Sequence, residues 1–108
     1  EGGAQMGLGY ALTEELIVKD GKVLNPDLLD YRLFTSADMP IIETRIIETD
    51  DPGGPFGAKG VGEMGGTPTA AAIANAIYDA VGVRMTQLPM TPERVLAALD
   101  EKEKRARV

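Results

Sequence analysis

The chain opens with apolar positions Met6, Tyr10 and Leu12, interrupted by Gly7 and Gly9, and this spacing does not choose between helix and strand. Two glycines in a helix interior cost about 1 kcal/mol each against alanine, but they let another backbone pack closely. A clearer pattern begins at Leu16-Ile17-Val18 and resumes at Val23-Leu24, with Asp20-Gly21 between. Asp-Gly between apolar runs predicts a β-hairpin, because its tight turn needs positive φ. Asn25-Pro26-Asp27 ends that element, and residues 28–40 read as irregular. Pro40 biases Met39 to extended geometry. Ile41 to Thr49 is β-branched with Glu43, Arg45 and Glu48 interleaved, and predicts a further strand. Asp50 to Pro55 is too rich in Asp, Pro and Gly for regular structure.

Two helices are predicted in the second half. The first follows the glycine-dense run GAKGVGEMGG (residues 57–66), with Thr67 as N-cap and Pro68 at its first position. It runs to about Val81, sets Ile73, Ile77, Ala80 and Val81 on one face, and stops at Gly82 as C-cap. The second opens at Thr91-Pro92-Glu93 with Thr91 as N-cap and Glu93 favouring the dipole; Val95, Leu96 and Leu99 form its apolar side. Residues 1–99 read as one structured segment and residues 100–108 as a charged tail with a frayed end.

Composition narrows what such a chain can do. Its 108 residues, 44% of them apolar, suit one domain with a modest core. The net charge of −6 and the absence of a basic stripe argue against nucleic acid and anionic membrane surfaces as partners. No apolar run approaches the roughly 18 residues of a membrane span. With no Cys and no His, the chain offers no thiolate, no Cys-bound iron–sulfur cluster and no imidazole base, so proton transfer falls to Asp, Glu, Lys or Tyr. The start, Glu1-Gly2-Gly3, lacks an initiator Met and a signal pattern, and reads as cut from something longer.

The glycine run admits three readings. Glu63 and Lys59 are solvated charges on a loop made of turns. Alternatively Gly60 to Gly65 is a nucleotide-binding G-x-G-x-x-G, a weak match because no strand leads directly into it and no closing acidic residue follows at the right place. Or the loop presents Glu63 as a catalytic carboxylate in a site completed by another part of the protein, with Gly62 and Gly65 as its wall and at least one of the two at positive φ. Elsewhere, Asp27, Asp30 and Asp38 lack calcium-loop spacing and read as capping or solvated groups. Tyr10, Tyr31 and Tyr78 read as packing residues, and Arg84 as a group that bonds the end of the first of these helices.

The string from Gly54 to Glu63 (GPFGAKGVGE), with Pro68 and AAIANAI over residues 71–77, resembles the C-terminal signature of the molybdenum-binding subunit of xanthine dehydrogenase/aldehyde oxidase-type molybdenum hydroxylases. Gly7 to Glu15, the spacing of Tyr31, Thr35, Asp38 and Pro40, Gly82-Val83-Arg84, and Leu88 to Glu93 agree with the same family, so the likeness covers about residues 1–99. One departure is Met6, where the family often has Gln. The resemblance implies an α+β fragment of a larger molybdopterin-binding domain: an N-terminal helix over Gln5 to Glu15, a hairpin and further strand, the glycine loop, and two C-terminal helices. It implies that Glu63 matches the base that takes a proton as a water-derived oxygen enters a heterocycle or aldehyde. It further implies a molybdenum–pterin cofactor held by the upstream remainder of the subunit, and [2Fe–2S] clusters and FAD on other domains or subunits. On this fragment it implies no cofactor, no metal ligand and no activity alone; the setting implied is cytoplasmic. The alternative is a non-catalytic assembly module that packs on a partner subunit.

Overall fold

Helix formation in the first eleven residues is decided by packing. The computed structural model describes residues 1–107. Helix α1 spans Gly2–Leu12, glycines included. Its cost in propensity is offset by close approach of the later chain. A Cβ added at Gly3 would lie 3.2 Å from the Gly65 Cα, and one at Gly7 would lie 2.6 Å from the Thr69 Cβ. Only glycine lets the two backbones meet this closely.

Strands β1 (Val18–Lys19) and β2 (Lys22–Val23) pair antiparallel, with Val18 opposite Val23 and Lys19 opposite Lys22. The two-residue turn has φ of 50° at Asp20 and 74° at Gly21, the left-handed pair the Asp-Gly signal predicts. Asn25 is buried and secures the base of this hairpin: its Oδ1 accepts from the Ile17 N–H at 2.8 Å and its Nδ2 donates to the Glu15 carbonyl at 2.6 Å.

The strand expected over Ile41 to Thr49 does not form. Residues 41–50 are without regular structure and make no backbone hydrogen bonds within the described chain. Ile41, Ile46 and Ile47 are 97%, 85% and 84% exposed. β-Branching suits a pleated surface, but a strand exists only where a neighbouring edge takes its N–H and C=O groups, and no such edge lies alongside.

Helix α2 (Thr69–Val81) ends at Gly82, which is left-handed at φ 67° as its C-cap role requires. Its start differs from expectation. Pro68 occupies the cap position, and the Thr67 hydroxyl donates backwards to the Glu63 carbonyl at 2.9 Å. Ala70, Ile73, Ala74 and Ile77 turn inward, whereas Ala80 and Val81 stay exposed. The last turn is capped from outside by Lys102, whose Nζ donates to the Val81 carbonyl at 2.8 Å; Arg84 instead stacks on Tyr78 and donates to Asn75.

Helix α3 (Pro92–Ala106) has the expected cap, with the Thr91 hydroxyl accepting from the Arg94 N–H. It continues through most of the charged segment expected to fray, supported by i,i+4 pairs Glu101–Arg105 and Glu103–Arg107. Arg94 ties it to the first half of the chain through Glu15 at 2.7 Å, and it also donates to the nearby Pro89 carbonyl at 2.8 Å.

The elements therefore make an α+β arrangement with a very small core. Among the described residues its buried apolar side chains are Ala11, Val83, Pro89 and Met90. The radius of gyration is 18.3 Å, against about 13 Å for a compact domain of this length.

Candidate functional site

Glu63 lies on the turn that leads into α2. Its carbonyl accepts from the Gly66 and Thr67 N–H groups at 3.0 Å each, in addition to the Thr67 hydroxyl. The next turn is held in the same way: the Gly65 carbonyl accepts from the Thr69 hydroxyl at 2.9 Å, and the Gly66 carbonyl from the Thr69 N–H at 3.2 Å. The turn rests on α1, with Gly65 and Gly66 against Gly3 and Gly66 with Thr69 against Gly7. The Glu63 carbonyl is thus held by the turn, and the turn is seated on α1. The Glu63 side chain is exposed, and no described group bonds its carboxylate, Lys59 included.

The residues before Glu63 are the opposite. Residues 59–62 make no backbone hydrogen bond within the described chain, and a Cβ at Gly60 or Gly62 would meet nothing within 4 Å. This leaves a strip of unpartnered amides with nothing on its open side, next to an ionisable carboxylate. Gly62 and Gly65 are not in the left-handed region; the glycines that are stand at 21, 57 and 82. The expected positive φ at one of them is therefore wrong. A Cβ at Gly65 would stand 3.4 Å from the Gly3 Cα, an ordinary contact, so the tight side of this approach is Gly3, and Gly62 borders open space.

Further upstream the backbone is unusual at Phe56, a non-glycine residue at φ 55° whose ring is fully exposed. The Asp51 N–H donates to the Gly57 carbonyl and closes this loop at its neck.

Two concave regions stand out among the described residues, and neither is lined by Glu63. One of about 430 Å³ lies between the start of α1 and residues 36–42. The other, of about 570 Å³, is an apolar groove among Leu12, Phe34, Ile77, Met90, Val95 and Leu99. The carboxylate faces outward, so any pocket around it needs walls from outside these residues.

Several other carboxylates have local tasks. Asp27 accepts from the Leu29 and Asp30 N–H groups. Asp38 accepts from the Thr35 hydroxyl and N–H, and both bonds lower its pKa, the hydroxyl more. The Tyr31 hydroxyl donates to Glu14 at 2.7 Å, which raises the tyrosine pKa; this is a polar role that a packing assignment misses. Glu93 is lowered by its own backbone N–H and then by Thr91, as suits the first turn of α3. Among the described residues no cluster of acidic groups could hold a metal ion, and no helix is long and apolar enough to cross a membrane.

As a cradle for a cofactor, the donor set has, among the described residues, no cluster of groups that would ligate a metal directly. It offers free amides and one carboxylate, with no thiolate or imidazole to bind a metal, so it fits the side wall of a group held elsewhere.

Residues 1–40 match the family model described as a molybdopterin cofactor-binding domain. The chain is 46% identical over 96 residues to a putative xanthine dehydrogenase molybdenum-binding subunit of Escherichia coli (strain K12), covering 87% of this chain and 13% of that protein. It is 42% identical over 103 residues to an aldehyde oxidoreductase molybdenum-binding subunit of the same strain, covering 93% of this chain and 14% of that one. The crystal structure of quinoline 2-oxidoreductase from Pseudomonas putida 86 superposes with a TM-score of 0.83 at 35% identity, over 93% of this chain and 13% of that chain. The chain thus spans about one seventh of the length of the relatives it matches.

Proposed function

The chain belongs to the molybdenum-binding subunits of the xanthine dehydrogenase and aldehyde oxidoreductase family, and from that membership we propose that it completes a hydroxylase site by supplying Glu63 as the base. The observation that carries this reading is the contrast at the turn: a main chain fixed by several donors, an outward carboxylate, and an open strip of glycine amides beside it. A general base needs reach to its proton and a defined position, and this geometry supplies the position.

When bound, the molybdenum–pterin group supplies the electron-accepting centre for oxidation of a heterocycle or aldehyde carbon. The part played by this chain is proton transfer and shape. A Glu63 carboxylate oxygen takes the proton from the water-derived oxygen as that oxygen becomes nucleophilic. Gly62 lets the neighbouring surface approach the loop, and Gly65 holds the turn on α1. The cofactor itself is bound by the upstream remainder of the subunit, and electrons leave through [2Fe–2S] and FAD groups on other domains or subunits. The complete protein acts in the cytoplasm on a small heterocycle or aldehyde, and this segment by itself is inactive.

In the molybdenum-loaded enzyme, Glu63→Gln keeps the side-chain volume and removes the basicity. Turnover should fall at least ~100-fold with molybdenum content unchanged. Full turnover at full metal loading would leave the segment as an assembly module instead. Elemental analysis and dye reduction on the separate chain should find neither molybdenum nor turnover; either one would place cofactor contacts within it.

A further inference from the structure

We propose that Thr69 is a positioning residue for Glu63, seated in a notch that Gly7 opens on α1; this rests on the reading of Glu63 as the base. The half-buried Thr69 contributes the side chain that joins the Gly7 seat on α1 to the carbonyls of the turn. Its hydroxyl donates to the Gly65 carbonyl at 2.9 Å and its N–H to the Gly66 carbonyl at 3.2 Å. Those two residues close the turn whose opening carbonyl is that of Glu63, through the Gly66 N–H at 3.0 Å. On its other side Thr69 presses into α1: a Cβ at Gly7 would stand 2.6 Å from the Thr69 Cβ and 2.7 Å from its hydroxyl oxygen.

The carboxylate has no described partner to hold it, so its location follows from its main chain. That main chain is held by a short path from Gly7 through Thr69 and Gly65 to Glu63. The hydroxyl is required because a methyl group of the same size fills the notch and cannot donate. Thr69 acts on the base only through this backbone, and misplacement of a base by a fraction of an ångström lowers the rate without changing substrate affinity.

The test compares Thr69→Val, Thr69→Ser and Glu63→Gln in the molybdenum-loaded enzyme. Its readouts are hydrogen exchange at the Gly66 and Thr67 amides, molybdenum content, and kcat and KM from dye reduction with xanthine or an aromatic aldehyde. Thr69→Val should speed exchange at both amides about fivefold. It should lower kcat about tenfold with KM and molybdenum content unchanged, and Thr69→Ser should restore both readouts. Unchanged exchange in Thr69→Val, equal damage in the Val and Ser variants, or a rate loss that only tracks lost molybdenum would overturn the proposal. Glu63→Gln should abolish turnover and leave exchange at the wild-type rate. If that variant stays active, the base assignment fails, while the exchange data still decide whether Thr69 holds the turn.

Discussion

In the sequence, residues 41–49 read as a strand and residues 63–69 as the end of a glycine loop running into a helix, and the structure reverses which of the two is the better held. The first has the stronger intrinsic preference, with four isoleucines and alternating charges, and remains without regular structure. The second is rich in glycine, the most flexible residue, and is among the best-held backbone in the chain. The difference is where the hydrogen-bonding partners come from. A turn that leads into a helix finds its donors within four residues and, here, a glycine surface on α1 to rest on. A strand must borrow all its partners from another edge. The lesson for the candidate site is that Glu63 is presented by the part of the chain with local satisfaction, directly after a stretch, residues 59–62, that has none.

This contrast can be broken most forcefully at the α1 contact. Gly7→Val in the enzyme should cost about 2–3 kcal/mol, as overpacking does, because its side chain would displace Thr69; chemical denaturation measures it. A loss under 0.5 kcal/mol would mean the seat is loose. Gly65→Val should cost less, about 1 kcal/mol, since its Cβ would already touch the Ala4 nitrogen and the Gly3 Cα at 3.4 Å and its two methyls would crowd α1. Gly62→Ala should leave stability unchanged, because it points at open space, while lowering turnover if this glycine borders the site. Equal stability losses at 62 and 65 would erase the distinction between the open strip and the seated turn.

The unpaired stretch is probed by Ile46→Thr and Ile47→Thr in the 108-residue chain. With both side chains more than four-fifths exposed, each should change stability by less than about 0.5 kcal/mol. A greater loss would reveal packing there. The smallest effect lies just upstream, at Asp38. Its pKa is held below the ordinary carboxylate value, so its bonds to Thr35 contribute fully above the unfolded value and are lost as pH falls through the folded one. Thr35→Val should move the Asp38 titration, followed by NMR, back toward the ordinary value; an unmoved titration would mean the hydroxyl is not its cause.

Much of this molecule is legible in its residues alone. Asp20-Gly21 specifies the hairpin, Thr91 caps α3, and Gly82 stops α2, because each acts within a few residues of itself. The family and Glu63 as its candidate base are legible for another reason: a long ordered set of residues is shared. Tertiary structure alone decided the rest. It made a helix of Gly2–Leu12, because Gly3 and Gly7, which weaken a helix, also admit the chain that packs on it. It gave Asn25 a buried clamp between Glu15 and Ile17, and it withheld an edge from Ile41 to Thr49. Each of these outcomes depends on what a residue meets across space, and a hydrogen bond or a close contact between distant residues has no signature in the local pattern of either.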